Sequence, residues 1–486
     1  MHIFPAFKRY FKNKMIHFGL ALACAASLAP AAAVHASELD QRLEAQRSMP
    51  VQSNEVPEWP NGPTVGAESA ILIEAQTGTI LYAKNIHQKQ YPASTTKILT
   101  ALIASELCEM EEIVTFSHDA VFDTPRDSTH IAMDTGQALT MDQCLQALLI
   151  RSANEVAFAM AEHISGSTDW QIFGDMMNDR AKELGCLNSH FANPNGLPDD
   201  NHYTTAYDMA MIGRAFFANE MLCKMTLAKR FEFPATDMLP QTKIENNLMK
   251  LIPGGEYGYE YLVGCKTGYT NTARSSLVSC AEKNGMKLIC VVMRDEAPYQ
   301  YKDTISLFEY GFANFEKVNV SQTETRYNIE NTGLFYSGND IFGNSQPLLS
   351  LDKDDYIILP KTASFSELET SVSYETESEN QAAIITYSFH GMDVGSARVN
   401  ISVNKDETYI FDTLPEEETK AEEPKNPLFI NVGLLWRILA VIGGILLVML
   451  LLRIVQKYYA FSGRREGRRR RKRRRRWRRR TKWLDD

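Results

Sequence analysis

No two cysteines of this chain stand in a CxxC pair, and no cysteine shares with histidine the spacing of a metal site, which excludes the zinc motifs that a sequence displays outright. No Gly-x-Ser-x-Gly is present, so the nucleophile elbow of the esterases is missing. No segment repeats at a fixed period, which excludes solenoids and propellers. Cysteine itself is scarce, eight in 486 residues, and Cys24 falls in the leader described below. The others are Cys108, Cys144, Cys186, Cys223, Cys265, Cys280 and Cys290. Their odd number leaves at least one thiol free or paired with another chain. They read mainly as small buried apolar side chains. With 44% hydrophobic and 23% charged residues the chain is globular rather than disordered, and its length implies two or three domains plus extras.

The formal net charge of −9 conceals an asymmetry. Arg453 to Asp486 carries 17 Lys or Arg against three acids, so the rest of the chain is strongly acidic. Opposite ends of such a chain face different surroundings. Lys8, Arg9, Lys12 and Lys14 precede an apolar, alanine-rich stretch to Val34, and Val34-His35-Ala36 offers small or aliphatic residues where a signal peptidase reads. Residues 1–36 are therefore expected to be a cleaved secretory signal. At the other end, Phe429 to Leu452 is nearly all apolar and about the 20 residues that a bilayer needs. Arg437 lies near its outer end, where the side chain can snorkel. The Arg-rich stretch that follows belongs in the cytoplasm by the positive-inside rule. The expectation is an exported catalytic region, one span over 428–453, and a basic cytoplasmic tail over 454–486 that meets anionic lipid or a partner.

Between these ends, residues 37–64 are polar and proline-bearing and read as a spacer. Ala70–Glu74 and Thr79–Tyr82 flank a Thr77-Gly78 turn and predict a hairpin. Ile98, Leu99, Leu102 and Ile103 share one face of a helix expected to start at Ser94. Helical patterns follow over Met141–Ile164, broken near Arg151-Ser152-Ala153, and over Trp170–Leu184. Tyr261–Cys265, Ser276–Cys280 and Leu288–Met293 predict strands, the last two joined through Asn284-Gly285. Tyr301–Phe315 predicts a closing helix. Strands, many helices, then strands again describe an α+β layout over 65–318, an antiparallel sheet covered by helices. Short alternating runs over 319–413 predict a small all-β domain, and the glutamates of 414–427 an acidic linker.

Three short motifs carry chemistry. Ser94-Thr95-Thr96-Lys97 opens a helix, so Lys97 lies one turn from Ser94 on the same face. A buried ammonium near another cation loses its proton readily, and neutral Lys97 can then take the Ser94 proton. Free N–H groups at the helix start can face an oxyanion. An SxxK alone is expected about twice by chance in such a chain, as a cap serine with a surface lysine. Ser152-Ala153-Asn154 sits in the helix break. Its hydroxyl can relay a proton and its amide can hold a carbonyl, although helix capping accounts for an isolated Ser152 equally well. Lys266-Thr267-Gly268 lies on a predicted strand, where Lys266 and Thr267 can hold a carboxylate and Gly268 lets a substrate backbone approach. Together, at a helix start, an interhelical break and an edge strand, the three are far more specific than any one.

These motifs, with Tyr91-Pro92-Ala93 before Ser94, Phe191-Ala192-Asn193-Pro194-Asn195-Gly196-Leu197, and Tyr269-Thr270 after Gly268, resemble the D-alanyl-D-alanine carboxypeptidases of the low-molecular-mass penicillin-binding proteins, peptidase family S11. The resemblance runs from about Val65 to Phe315. It implies a penicillin-recognising serine transpeptidase/β-lactamase-like fold, no cofactor and no metal. It implies an acyl-enzyme on Ser94 with Lys97 as base, and a cleft shaped by Ser152 and Asn154. Lys266 and Thr267 would hold the terminal carboxylate of a pentapeptide ending in D-Ala-D-Ala or of a β-lactam. The backbone N–H groups of Ser94 and Tyr269 would form the oxyanion hole. The sequence departs from the family at Ala153, Glu155 and Arg274, where relatives carry Gly, Asp or Asn, and Gly. A β-lactamase would use the same Ser94 but needs a deacylating glutamate, and Phe191 to Pro198 holds none. A D,D-endopeptidase on the same fold and a non-catalytic wall-binding sensor are the remaining alternatives, the latter disfavoured by the intact motifs.

Overall fold

A computed structural model of the chain describes residues 39–327, 349–376, 378 and 380–401. The expected signal (1–36), acidic linker (414–427), span (428–453) and tail (454–486) lie outside these residues. Among the described residues no helix is long and apolar enough to cross a membrane.

The centre is a five-stranded antiparallel sheet in the order Ile80–Lys84, Ser69–Glu74, Met286–Asp295, Arg274–Lys283, Leu262–Thr270. The expected first hairpin forms and joins the last strands through the pairing of Ser69–Glu74 with Met286–Asp295, in which Ile71 faces Val291. Asn284 and Gly285 both take positive φ, 54° and 75°, as a tight turn between twisted strands demands. Alternation along the strands splits the core into two. Ile71, Ile73, Val278, Cys280, Ile289 and Val291 face a cluster made by the helices Lys97–Leu107, Asn154–Ser165 and Ala206–Ala218. Leu72, Leu277, Leu288, Cys290 and Val292 face the helix Tyr299–Asn314 on the other side. Five of the seven described cysteines are buried and none is bridged.

Two stretches differ from the sequence expectation. Residues 39–63 are packed against the domain rather than loose. A helix over 39–47 buries Leu43, and Trp59 inserts its ring between Phe315 and Phe389 while donating its indole N–H to the Leu81 carbonyl at 3.0 Å. Polarity and proline hid this, because only a few apolar residues of the stretch do the anchoring. The later strands also do not begin a fresh core at 319. Tyr356–Pro360 pairs with Phe315–Asn319, across the expected boundary. Leu349–Leu351, Met392–Ile401, Gln381–Phe389 and Glu369–Ser373 form a four-stranded sheet in that order, whose Ile385, Tyr387 and Phe389 share one apolar cluster with Trp59, Leu72 and Phe308.

Candidate active site

The nucleophile turn is a short 3-10 segment, Ala93–Thr96, that runs into the helix Lys97–Leu107. Ala93 sits at φ 50°, a left-handed backbone that a residue with a Cβ adopts only under constraint. The constraint is visible. Thr95 donates its hydroxyl to the Pro92 carbonyl at 2.7 Å, and Gly196 (φ 82°) presses so close that a Cβ there would lie 1.8 Å from the Ala93 oxygen. Thr96 is held by His202 Nε2 at 2.8 Å. The Ala192 N–H donates to His202 Nδ1, so the ring proton resides on Nε2, and burial pushes this imidazole down to about 3.

Lys97 is fully buried, and its Nζ meets three oxygens: Ser94 Oγ at 3.1 Å, Asn154 Oδ1 at 2.6 Å and the Asn195 carbonyl at 2.6 Å. Burial, and next the Lys266 cation, hold this ammonium well below the usual lysine range. A neutral amine has two N–H donors and one lone pair. The Asn154 and Asn195 oxygens can only accept, so they take the two hydrogens. The lone pair is left for the one neighbour that can donate, the Ser94 hydroxyl.

Asn154 is delivered by a break in the helical run. Met141–Gln146 is a regular helix, Ala147–Arg151 widens into a π turn, and Ser152 then takes the left-handed conformation (φ 63°, ψ 33°) before the helix Asn154–Ser165 restarts. The π turn and the left-handed residue point Ser152 and Asn154 into the cleft. Ser152 Oγ accepts from Lys266 Nζ at 3.0 Å. Lys266 comes from the sheet-edge strand Leu262–Thr270, and burial pushes its ammonium down to about 7. Thr267 is half-buried beside it.

Gly268 has a different reason from the one read in the sequence. A Cβ there would meet the Pro92 oxygen at 2.8 Å and the backbone nitrogens of Ser94 and Thr95 at 2.9 Å, so glycine lets the strand lie against the nucleophile turn itself. This puts the Gly268–Tyr269 backbone beside Ser94. The Tyr269 ring points outward and its hydroxyl reaches Asn271. Of the eight sequence-derived residues, Ser94, Lys97 and Asn154 are joined by hydrogen bonds, as are Ser152 and Lys266, and Thr267, Gly268 and Tyr269 follow Lys266 on the strand that lies against the Ser94 turn.

Three contributors escaped the sequence reading. Asn195 supplies a backbone carbonyl to Lys97, a role no side-chain pattern encodes, although its segment was visible through the resemblance. His202 pins Thr96 from a loop. Buried Glu155 accepts the Ile131 N–H at 2.7 Å and thereby fixes the loop beside Asn154, and burial raises its carboxyl. Arg274, one of the departures that the sequence shows from the resembled pattern, takes a left-handed φ of 54°. Its guanidinium forks onto the buried carboxylate of Glu296, a charge-assisted pair that offsets the strain.

A serine at a strained turn, a buried lysine beneath it held well below the usual lysine range, and a second lysine on an edge strand are the machinery of an active-site serine enzyme. The chain belongs to the D-alanyl-D-alanine carboxypeptidase family, peptidase family S11, whose model matches residues 55–297, half of its length. It is 34% identical over 260 residues to D-alanyl-D-alanine carboxypeptidase DacF of Bacillus subtilis, covering 51% of this chain and 63% of that one, less than two thirds of the relative's length. It is 29% identical over 370 residues to DacA of Haemophilus influenzae, covering 72% and 88%. Penicillin binding protein 5 of Haemophilus influenzae superposes with a TM-score of 0.54 at 27% identity, over 70% of this chain and 98% of that one.

Proposed function

We propose that the chain is a serine D-Ala-D-Ala carboxypeptidase that removes the terminal D-alanine from peptidoglycan pentapeptides. The observation that carries this reading is the bonding of Lys97, whose two acceptors at 2.6 Å leave its lone pair to Ser94. In the forward step Lys97 takes the Ser94 proton and Oγ attacks the carbonyl of the penultimate D-alanine. The oxyanion is met by backbone N–H groups at the Ser94 turn and Tyr269. The proton passes from Lys97 through Ser152 to the amine of the departing D-alanine, and the C–N bond breaks. Lys266 and Thr267 hold the carboxylate of that residue. Water then gives its proton to Lys97 and its hydroxide to the acyl carbon; as the ester C–O bond breaks, Lys97 returns that proton to Ser94 Oγ and the shortened peptide leaves.

A penicillin acylates the same oxygen but stays tethered after ring opening. Residues 193–197 bring no carboxylate to the ester, so its hydrolysis is slow. The signal at 1–36, the span at 428–453 and the basic stretch at 454–486 support an exported enzyme anchored by one C-terminal span, its catalytic region outside and its tail on anionic lipid within. The test uses the purified full-length chain in detergent with a D-Ala-D-Ala pentapeptide and, separately, benzylpenicillin. Release of D-alanine with turnover, beside a penicillin adduct that outlasts many turnovers, is expected. Rapid penicillin hydrolysis without D-alanine release would make the protein a β-lactamase instead.

A further inference from the structure

The two helices that carry the catalytic groups at their N-termini, Lys97–Leu107 and Asn154–Ser165, also converge at their other ends. There Cys108 caps the first helix, His163 lies in the last turn of the second, and Glu112 comes from the turn between Cys108 and the strand Ile113–Thr115. Cys108 Sγ, a Glu112 carboxylate oxygen and a His163 ring nitrogen all lie within 4.8 Å of one another, and each side chain is half-buried. Glu112 and His163 already touch, Oε2 to Nε2 at 2.8 Å. The thiol beside them packs against the helical core and makes no hydrogen bond among the described residues, so it faces the Glu112–His163 pair with its sulfur free to ligate.

The frame around the three is firm. The Cys108 N–H bonds to Ala104 at 3.1 Å, the Glu112 carbonyl accepts from Met141 at 2.8 Å, and the Met110 carbonyl accepts from Asp142 at 3.0 Å. The second carboxylate oxygen of Glu112 accepts the Glu109 N–H at 2.7 Å, the outer hydrogen bond that orients a ligating carboxylate. The turn Cys108-Glu109-Met110-Glu111-Glu112 carries three carboxylates and no cation, so its field draws positive charge.

We propose that Cys108, Glu112 and His163 bind one zinc ion, with water as the fourth ligand. Tetrahedral zinc with bonds of about 2.0–2.3 Å sets its donors about 3.3–3.7 Å apart. The Glu112–His163 contact therefore opens by about half an ångström, and no pair need close by more than about one, within the reach of a half-exposed glutamate. The mixed sulfur, nitrogen and oxygen set suits zinc over the hard cations magnesium and calcium. On loading, the thiol proton leaves to solvent and the sulfur binds as thiolate. The ion clips together the far ends of the two catalytic helices, about 16 Å from Lys97 along an 11-residue helix, too far to touch substrate. It is a structural clasp and takes no part in the serine chemistry. No motif announces it, since 55 residues separate Cys108 from His163 and only the fold unites them.

The test strips the full-length protein with a chelator and titrates it with cobalt(II), then zinc. One equivalent of cobalt should give a thiolate-to-metal charge-transfer band that zinc abolishes. Zinc should raise the melting temperature of the stripped wild type. Cys108→Ser should lose the band. His163→Gln and Glu112→Gln should weaken zinc binding about tenfold or more, and Cys186→Ser should leave it unchanged. Covalent penicillin binding, equal in all variants, verifies the fold. Should Cys108→Ser misfold, the wild-type titration and Glu112→Gln decide the matter. Absence of a one-equivalent band in the wild type, an unchanged band in Cys108→Ser, or zinc affinity unaffected by both other ligand variants overturns the proposal.

Discussion

At the scale of single residues, the site is two lysines tuned to different tasks by the same burial. Lys97 is surrounded so that its neutral form fits, whereas Lys266 stands near a titration point at about 7 and is useful as a cation. Replacing Lys97 by alanine should slow acylation by penicillin about 10²–10⁴-fold, the usual worth of a general base, while non-covalent binding changes little. A stopped-flow acylation rate within threefold of wild type would assign the base to another group. The two lysines also set the pH profile. Below its pKa Lys266 is charged and holds a carboxylate, so kcat/KM should fall as pH rises through about 7 in the free enzyme. A bound carboxylate raises that pKa, so the alkaline limb of kcat should lie higher. On the acid side both profiles should fall as Lys97 gains its proton. Lys266→Arg, charged at all accessible pH, should abolish the alkaline limb. An alkaline limb that stays in place in that variant would trace it to a different residue. The motif residues were legible in the sequence because spacing alone brings Ser94 to Lys97. Asn195 and His202 were not, since one acts through its backbone carbonyl and the other through a loop that only tertiary packing brings near Thr96.

At the scale of elements, the strained nucleophile turn is gripped from two sides by glycines. Gly268→Ala would drive a methyl group into the Pro92 carbonyl and the Ser94 amide, forcing the edge strand away by a fraction of an ångström or more. Misplacement of that order costs about a hundredfold in rate. The expected result is a large loss of acylation with most of the folding stability retained, read by penicillin kinetics beside a melting curve. Acylation at the wild-type rate would mean that the close approach is not needed. The elements themselves were largely readable. Asn284-Gly285 announced its hairpin, and the apolar periodicities at Ile98–Ile103 and Met141–Ile164 announced their helices. The π turn at Ala147–Arg151 was visible only as an interruption, because the widened turn conserves apolar spacing while shifting the direction of the residues that follow. The short hairpin of Arg230–Phe233 with Lys243–Asn246 went unseen, its strands being only four residues each, with Phe231 and Phe233 the only buried side chains between them.

At the scale of the molecule, the surprise lies in how few boundaries the packing respects. Trp59, from a stretch that reads as a spacer, contacts Phe315 of the catalytic region and Phe389 of the later sheet. The sequence could not reveal this, since a lone tryptophan among prolines and acids has no periodicity to declare its face. Trp59→Ala should cost about 3–5 kcal/mol, the usual loss for a buried tryptophan. The shared apolar cluster further predicts that the described regions melt in one transition, by calorimetry of the full chain, and that Trp59→Ala lowers that transition without splitting it. Two separate transitions in the wild type would mean that the sheet of residues 349–401 is independent. The central claim, a serine acyl-enzyme built on Ser94, is tested most directly by intact-mass and peptide-mapping analysis of the full-length chain after brief exposure to benzylpenicillin. One penicillin per chain on the peptide that contains Ser94, and none on Ser94→Ala, is the predicted result; an adduct on another residue, or equal labelling of Ser94→Ala, would contradict it.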